Sequence, residues 1–170
     1  IVLVAPQHGD GLAEQFHRYE RDYQVHLARS VDGADEVLGR LADSGAPVAL
    51  VVTESLLPDR PVLEAFARWR AVVPSARRLV VAHRSRFLVD SGQLRSGLAA
   101  GRFDAFLLMP QAARDEEFHT AVCELLSDWG STAAAPEVEA VRIVTPEPDA
   151  LTLAIRDFLD RMGLPNRTVA

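Results

Sequence analysis

Five short apolar segments recur at even intervals along the first 110 residues of the chain. They read IVLV, YQVHLA, VALVV, RLVVA and DAFLL and occupy residues 1–4, 23–28, 48–52, 78–82 and 104–108. Each is almost continuously hydrophobic and is bounded by proline, glycine or charged residues, which is typical of strands buried on both faces. The pattern predicts five strands of one buried sheet.

Between these segments the apolar residues repeat with the period of a helix. The repeats are Leu12, Phe16 and Tyr19; Ala34, Val37, Leu38 and Leu41; Leu63, Phe66, Ala67 and Trp69; and Phe118, Ala121, Val122, Leu125 and Trp129. Alternating strands and helices joined by short connections predict a parallel sheet with helices on both faces. We therefore expect an α/β protein with a flavodoxin-like, doubly wound five-stranded sheet, whose ligands bind at the carboxyl ends of the strands.

A second region follows the last of these helices. Residues 130–140 are mostly small and include a proline, which is typical of a linker. Residues 141–144 predict a sixth strand, and a helix follows with Leu151, Ile155, Phe158, Leu159 and Met162 on one face. We predict a domain over 1–129, a linker over 130–140 and a βα extension over 141–170. The extension is too small to bury its apolar face alone, so it packs on the first domain or on a partner, or it opens a second domain.

The amino-acid composition excludes several kinds of catalysis and binding. The chain has 170 residues and a formal net charge of −6, and its 18 basic residues are all arginine, which excludes lysine nucleophiles and lysine-dependent phosphate loops. The acidic balance argues against direct nucleic-acid binding. A single cysteine, Cys123, excludes an internal disulfide and dithiol redox chemistry in these residues, and we expect it to be buried and inert. Since no signal or membrane segment is visible, a cytoplasmic location is predicted.

The loop after the third strand carries a carboxylate, Glu54, four residues before Pro58 in a turn that reads LPD. This pattern resembles the response-regulator receiver (CheY-like) family, whose third strand ends in a phosphoacceptor aspartate followed by a proline-containing turn. Residues 106–110, FLLMP, resemble the family's lysine-proline signature, with Met109 at the lysine position and Pro110 at the proline. The resemblance implies a cis peptide bond before Pro110.

Receivers phosphorylate their aspartate with the help of Mg²⁺ held by an acidic pair after the first strand, and a hydroxyl and a lysine then bind the phosphoryl group. This sequence has Ala5 and Pro6 at the acidic-pair positions, Ala82 at the hydroxyl position and Met109 at the lysine position. None of these side chains supplies the oxygen ligands or the charge that the reaction needs. We therefore expect a pseudo-receiver that is not phosphorylated. Glu54 either fixes a phosphate-like charge or lies at a solvated loop end.

The C-terminal region resembles part of certain bacterial flavoproteins, in which a receiver-like module precedes a thioredoxin-reductase-like domain. The similarity lies in the run Arg156 to Leu159 and in Pro165. It implies that the extension begins a short thioredoxin-like segment and that a catalytic domain lies further along the chain. FAD and NADPH would bind there, because these residues contain neither the glycine-rich fingerprint nor a CxxC motif.

Two further sets of residues are candidates for function. His8, Glu54 and His83 each follow a different strand and could converge at the carboxyl edge of the sheet, as a two-histidine, one-carboxylate set of the kind that binds iron or zinc. A wet polar rim is the favoured alternative, because no local ligand spacing supports the set. Arg84 and Arg86 lie in a stretch that is long for the connection between strand four and the next helix, and we expect that stretch to be mobile or a docking surface.

The region 92–129 corresponds to the face through which active receivers often dimerise, so the resemblance predicts a homodimer there. Phe103, Phe106 and Phe118 are either its apolar anchors or core residues. We expect a non-catalytic regulatory and dimerisation module of a larger protein, most closely resembling the FAD-dependent reductase fusions. The alternatives are the regulatory domain of a DNA-binding response regulator or transcription factor and, third, a phosphate-accepting receiver.

Overall fold

The structure of the chain is a computed structural model that describes residues 1–110, 115–133, 141–146, 149–162 and 166–169. It divides into two compact units, Ile1–Trp129 and Gly130–Ala170.

The first unit is a five-stranded parallel sheet with strand order β2-β1-β3-β4-β5. Its elements are β1 (Val2–Val4), α1 (Gly9–Phe16), a 3₁₀ turn (His17–Tyr19), β2 (His26–Ala28), α2 (Val31–Asp43), β3 (Leu50–Glu54), α3 (Val62–Val72), β4 (Arg77–Ala82), α4 (Phe87–Ala99), β5 (Ala105–Leu108) and α5 (Glu116–Ala133). This order is that of the flavodoxin-like doubly wound fold, so the predicted fold class is confirmed. The order reverses between β1 and β3, where ligands bind in such sheets.

The central strands β1 and β3 are buried along their whole length. One face of the sheet packs against α2, α3 and α4 in a cluster that includes Leu38, Phe66 and Trp69. On α1 and α5, Phe16 and Phe118 meet edge to face with ring centroids 6.1 Å apart. The helices therefore hold the sheet rigidly and leave its carboxyl edge as the place where the loops meet.

The helix α4 begins sooner than the sequence indicated. It starts at Phe87, soon after β4 ends, so the expectation of a long connection is wrong. The apolar period was hidden because α4 buries Asp90 and Gly97 beside Leu94, whereas Leu88 is 84% exposed. An acid and a glycine on the inner face do not register as a hydrophobic stripe.

Aromatic residues predicted as candidate anchors lie inside the first unit. Phe103 and Phe118 are 1% and 3% exposed, and Phe106 stacks on Phe87 with ring centroids 4.7 Å apart. These rings pack in the domain itself, which rules out Phe103 and Phe118 as interface anchors.

The second unit contains a strand that was not predicted. β6 (Val141–Val144) pairs in parallel with β7 (Asn166–Val169), and α6 (Ala150–Arg161) connects them. The βα extension is therefore a βαβ unit. Residues 130–133 belong to α5, so the predicted linker begins too early; glycine, serine and threonine are tolerated at the end of a helix and alanine favours it. The rest of that linker lies outside the described residues.

Among the residues that the structure describes, no helix is long and apolar enough to cross a membrane.

Candidate functional site

The candidate site lies at the carboxyl edge of the sheet, where the carboxylate of Glu54 accepts hydrogen bonds from the backbone of the neighbouring loop. Glu54 ends β3 and is 4% exposed. Its Oε1 accepts the backbone N–H of His8 at 2.5 Å, and its Oε2 accepts the backbone N–H of Gln7 at 3.2 Å. Both oxygens are thus bonded to the loop between β1 and α1. Hydrogen bonds to an ionised acceptor are the stronger kind, so the loop is fixed onto the acid.

Two histidines lie beside this carboxylate. His8 Nδ1 is 3.4 Å from Glu54 Oε1, and the His8 ring stacks on His83 with centroids 4.8 Å apart and planes 5° from parallel. His83 Nδ1 is 2.8 Å from the Ser85 hydroxyl. The three residues predicted to converge do come together.

Their geometry does not suit a metal ion. Ring nitrogens bind metals through lone pairs in the ring plane, and two nearly parallel stacked rings direct those lone pairs side by side rather than toward one point. Among the described residues no group of three histidine, cysteine, aspartate or glutamate side chains is placed to hold a metal. The iron or zinc set of His8, Glu54 and His83 is therefore not supported.

The residues present also do not fit the Mg²⁺ that the receiver resemblance implies. Ala5 is buried and Pro6 half-buried, and neither side chain has an oxygen. Asp10, the acid in the first turn of α1, pairs with Arg29 at 2.5 Å. A hard cation needs several oxygen ligands, but Ala5 and Pro6 supply none and both oxygens of Glu54 already accept backbone N–H groups.

The positions of the hydroxyl and the lysine are occupied by side chains that bind no phosphoryl group. Ala82 is fully buried at the end of β4, and the Met109 N–H donates to the Ala82 carbonyl at 2.8 Å. The described residues contain no cis peptide bond, so the expectation of a cis bond before Pro110 is wrong. The trans form of such a bond is favoured by about 0.5–1 kcal/mol.

A second network joins the site to α4 and was missed by the sequence reasoning. Asp90, 5% exposed, accepts the Ser55 hydroxyl at 2.6 Å and the Arg86 guanidinium at 2.8 Å. Because Ser55 directly follows Glu54, these bonds fasten the amino end of α4 to the loop that carries the acid. The spacing of Arg86 and Asp90 by four residues was a usable signal, whereas the contact with Ser55 arises only from the fold.

A third cluster lies between the 3₁₀ turn and α5. The Tyr19 hydroxyl is 3.0 Å from His119 Nδ1 and 3.9 Å from Cys123 Sγ. Burial raises the pKa of Tyr19 above its usual range and lowers the pKa of His119. Cys123 is exposed beside a groove of about 450 Å³, so the prediction of a buried thiol is wrong. It follows the buried Val122 on α5, one position off the apolar stripe.

No family model matches the sequence, and no curated protein matches it. Among solved structures, several receiver domains share the fold. The signal receiver domain of an HD-domain-containing protein from Pseudomonas fluorescens Pf-5 is 22% identical with a TM-score of 0.58, over 76% of this chain and 88% of that one. The beryllofluoride-activated NtrC4 receiver domain dimer is 15% identical with a TM-score of 0.53, over 75% and 97%.

An adenylate cyclase from Rhodopirellula baltica is 12% identical with a TM-score of 0.60, and the match covers 94% of this chain and 96% of that one. Identities this low show a shared fold and do not transfer an activity. The class that the fold defines is the CheY-like receiver fold. In this chain the acid at the end of β3 accepts hydrogen bonds from the protein's own backbone.

Proposed function

We propose that residues 1–129 form a pseudo-receiver, a non-catalytic module that regulates a larger protein without being phosphorylated. The observation that carries this proposal is the closed site, in which both carboxylate oxygens of Glu54 accept backbone N–H groups of Gln7 and His8. A carboxylate must present a free oxygen to attack phosphorus, and the attack needs cationic groups for the developing charge. Ala5, Ala82 and Met109, with the loop bonded to Glu54, supply neither.

The module acts as a scaffold that presents a fixed surface to its partners. Its sheet is held from both faces, and the Ser55–Asp90–Arg86 network fixes α4 relative to the site. α4 and α5 therefore present a constant surface, which suits a scaffold for assembly. In a working receiver this surface would respond to phosphate, whereas here the contacts that fix it are permanent.

We propose that this surface, within 92–129, forms a homodimer. Leu98 and Leu108 are 40% and 38% exposed on α4 and β5. Arg95 on α4 and Arg102 just after it are exposed, and the first turn of α5 carries the exposed acids Glu116 and Glu117. A two-fold contact that sets one protomer's arginines against the other's acids is self-complementary. The similar NtrC4 receiver was solved as a dimer.

The dimer is tested by sedimentation equilibrium of the full chain. Leu98→Glu buries a charge in the proposed contact and should weaken the dimer at least about tenfold. Val72→Glu is the matched control, because Val72 is also 40% exposed but lies on α3. A wild-type monomer, or equal weakening by both variants, would contradict the proposed surface.

The larger protein is proposed to resemble the FAD-dependent thioredoxin-reductase fusions, with FAD and NADPH bound outside these residues. The support is the resemblance at Arg156 to Leu159 together with the βαβ form of the second unit. The coding sequence beyond Ala170 tests this proposal, which predicts a CxxC motif and two dinucleotide-binding fingerprints. A helix-turn-helix there would instead support the regulatory domain of a transcription factor, a role consistent with the response-regulator receivers that share the fold.

A further inference from the structure

The groove beside α5 brings the single cysteine of the chain together with a buried tyrosine and a buried histidine. Cys123 is exposed on the helix, whereas Tyr19 and His119 are 8% and 3% exposed. The Tyr19 hydroxyl lies between the other two side chains, 3.0 Å from His119 Nδ1 and 3.9 Å from Cys123 Sγ. His119 Nε2 is buried and has no hydrogen-bond partner among the described residues. We call Tyr19, His119 and Cys123 the thiol cluster.

The unpartnered nitrogen of His119 sets the direction of the hydrogen bonds in the thiol cluster. Burial lowers the pKa of His119, so its ring is neutral near pH 7 and carries one proton. Buried N–H groups without an acceptor are rare, which places that proton on Nδ1, where it is donated to the Tyr19 oxygen. Burial and the contact with Cys123 raise the pKa of Tyr19, so the hydroxyl keeps its own proton.

The Tyr19 proton has two acceptors within reach. One is the His119 carbonyl oxygen at 3.4 Å, and the other is Cys123 Sγ. An ionised acceptor forms the stronger hydrogen bond, so the Tyr19 hydroxyl turns to the sulfur when Cys123 is a thiolate. The thiol cluster therefore supports the reactive form of an exposed cysteine.

The groove has the size and the charges of a small-molecule site. Its volume is about 450 Å³, within the range of roughly 300–1,000 Å³ that ligand pockets occupy. Cys123 lines it together with Arg18 from the 3₁₀ turn and with Glu116, Thr120 and Glu124 from α5. All of these side chains are exposed. A ligand that carries a carboxylate and an ammonium group meets a partner of opposite charge for each.

We propose that Cys123 forms a mixed disulfide with a small thiol of the amino-acid type, delivered as its symmetrical disulfide, such as cystine. The Cys123 thiolate attacks one sulfur of the disulfide, so that a new S–S bond forms while the old one breaks. One half of the disulfide stays on Cys123 in the groove. The other half leaves as a thiolate and takes up the proton that Cys123 lost. The disulfide is the oxidant, and an excess of the reduced small thiol reverses the step.

The intact mass of the full chain, recorded over time with an excess of disulfide, tests the site. Cystine is compared with cystamine, which is cystine without its carboxylates, and with dithiodipropionate, which is cystine without its ammonium groups. The chain unfolded in urea is the reference, because it has the same single thiol without the groove. Relative to that reference, the folded chain should prefer cystine over each of the other two disulfides at least about threefold.

Two arginine variants test how the carboxylate is recognised. Arg18→Ala should lower the cystine rate about two- to fivefold, the range expected for an exposed ion pair, and should not lower the cystamine rate. Arg21→Ala is the matched control, because Arg21 is exposed three residues further along the chain and does not line the groove. Equal cystine rates for the two variants would overturn the recognition by Arg18.

Tyr19→Phe tests the positioning role of the hydroxyl. It should slow all three disulfides by the same factor, at least about threefold, because the thiolate loses its donor while the groove keeps its charges. A variant that only loosened the groove would instead lose the preference for cystine. Urea titration checks that the variant is folded.

The reference separates a site from an exposed thiol. If the folded and the unfolded chain show the same preference among the three disulfides, Cys123 is an exposed thiol without a site and the proposal is overturned. The absence of any adduct would overturn it as well. Neither result bears on the closed site at Glu54, which lies at the carboxyl edge of the sheet and has its own tests.

Discussion

Removing the carboxylate of Glu54 should destabilise the first unit by much more than the loss of a surface acid. Hydrogen bonds to charged groups contribute about 1.5–3 kcal/mol each, and Glu54 accepts two from backbone N–H groups. Since both bonds are only partly buried, the lower half of that range applies, and Glu54→Ala should cost about 3 kcal/mol. Glu54→Gln keeps an acceptor oxygen but places an NH₂ group against one N–H, and should cost about 1–2 kcal/mol.

The assay is urea unfolding followed by tryptophan fluorescence. Trp69 and Trp129, the chain's two tryptophans, belong to the first unit, so the signal reports that unit. Asp10→Ala is the control, because Asp10 is in the same region but forms an exposed ion pair, and it should cost less than about 0.5 kcal/mol. If Glu54→Ala costs no more than the control, Glu54 is a solvated rim acid and the closed site is refuted.

Three further predictions concern α4 and the buried histidine. Asp90→Ala should cost about 2–3 kcal/mol in urea unfolding and speed amide exchange at the start of α4, because it strands the Ser55 hydroxyl; unchanged exchange would contradict the network. Burial lowers the pKa of His119, so the unfolded chain protonates first and stability should fall as pH drops below about 6.5. His119→Gln should flatten that slope. In thermal melts, Gly92→Ala should stabilise α4 by about 0.5–1 kcal/mol, because an added Cβ at that helical position meets open space. Gly101→Ala should destabilise the first unit, because the backbone φ of Gly101 is +64°. Stability changes of the same sign for both variants would contradict the two backbone assignments.

The sheet could be predicted from the sequence because strands that are buried on both faces consist of continuous apolar runs. Val2–Val4 and Leu50–Glu54 show this directly. The start of α4 was missed for the opposite reason, since its inner face holds Asp90 and Gly97. Polarity on that face reflects a tertiary contact with Ser55, which local periodicity does not encode.

The site could be predicted only in part. The residue types at Ala5, Ala82 and Met109 predict that phosphoryl transfer is lost, because that reaction requires oxygen ligands and charge, and this stays a prediction. The hydrogen bonds that Glu54 accepts from the backbone of Gln7 and His8 could not be predicted, since almost every residue type has a backbone N–H and the sequence does not show which of them lies near the acid. Cys123 was misplaced because one position on a helix rotates a side chain by about 100°.

The most direct test of the pseudo-receiver is the intact mass of the full chain after incubation with acetyl phosphate and Mg²⁺. A receiver with an aspartate acceptor is treated in parallel as the positive control, and light scattering is recorded on the same samples. The account predicts an unchanged mass and an unchanged association state for the wild-type chain. A phosphate adduct that is lost in Glu54→Gln would make Glu54 a working acceptor and contradict the account.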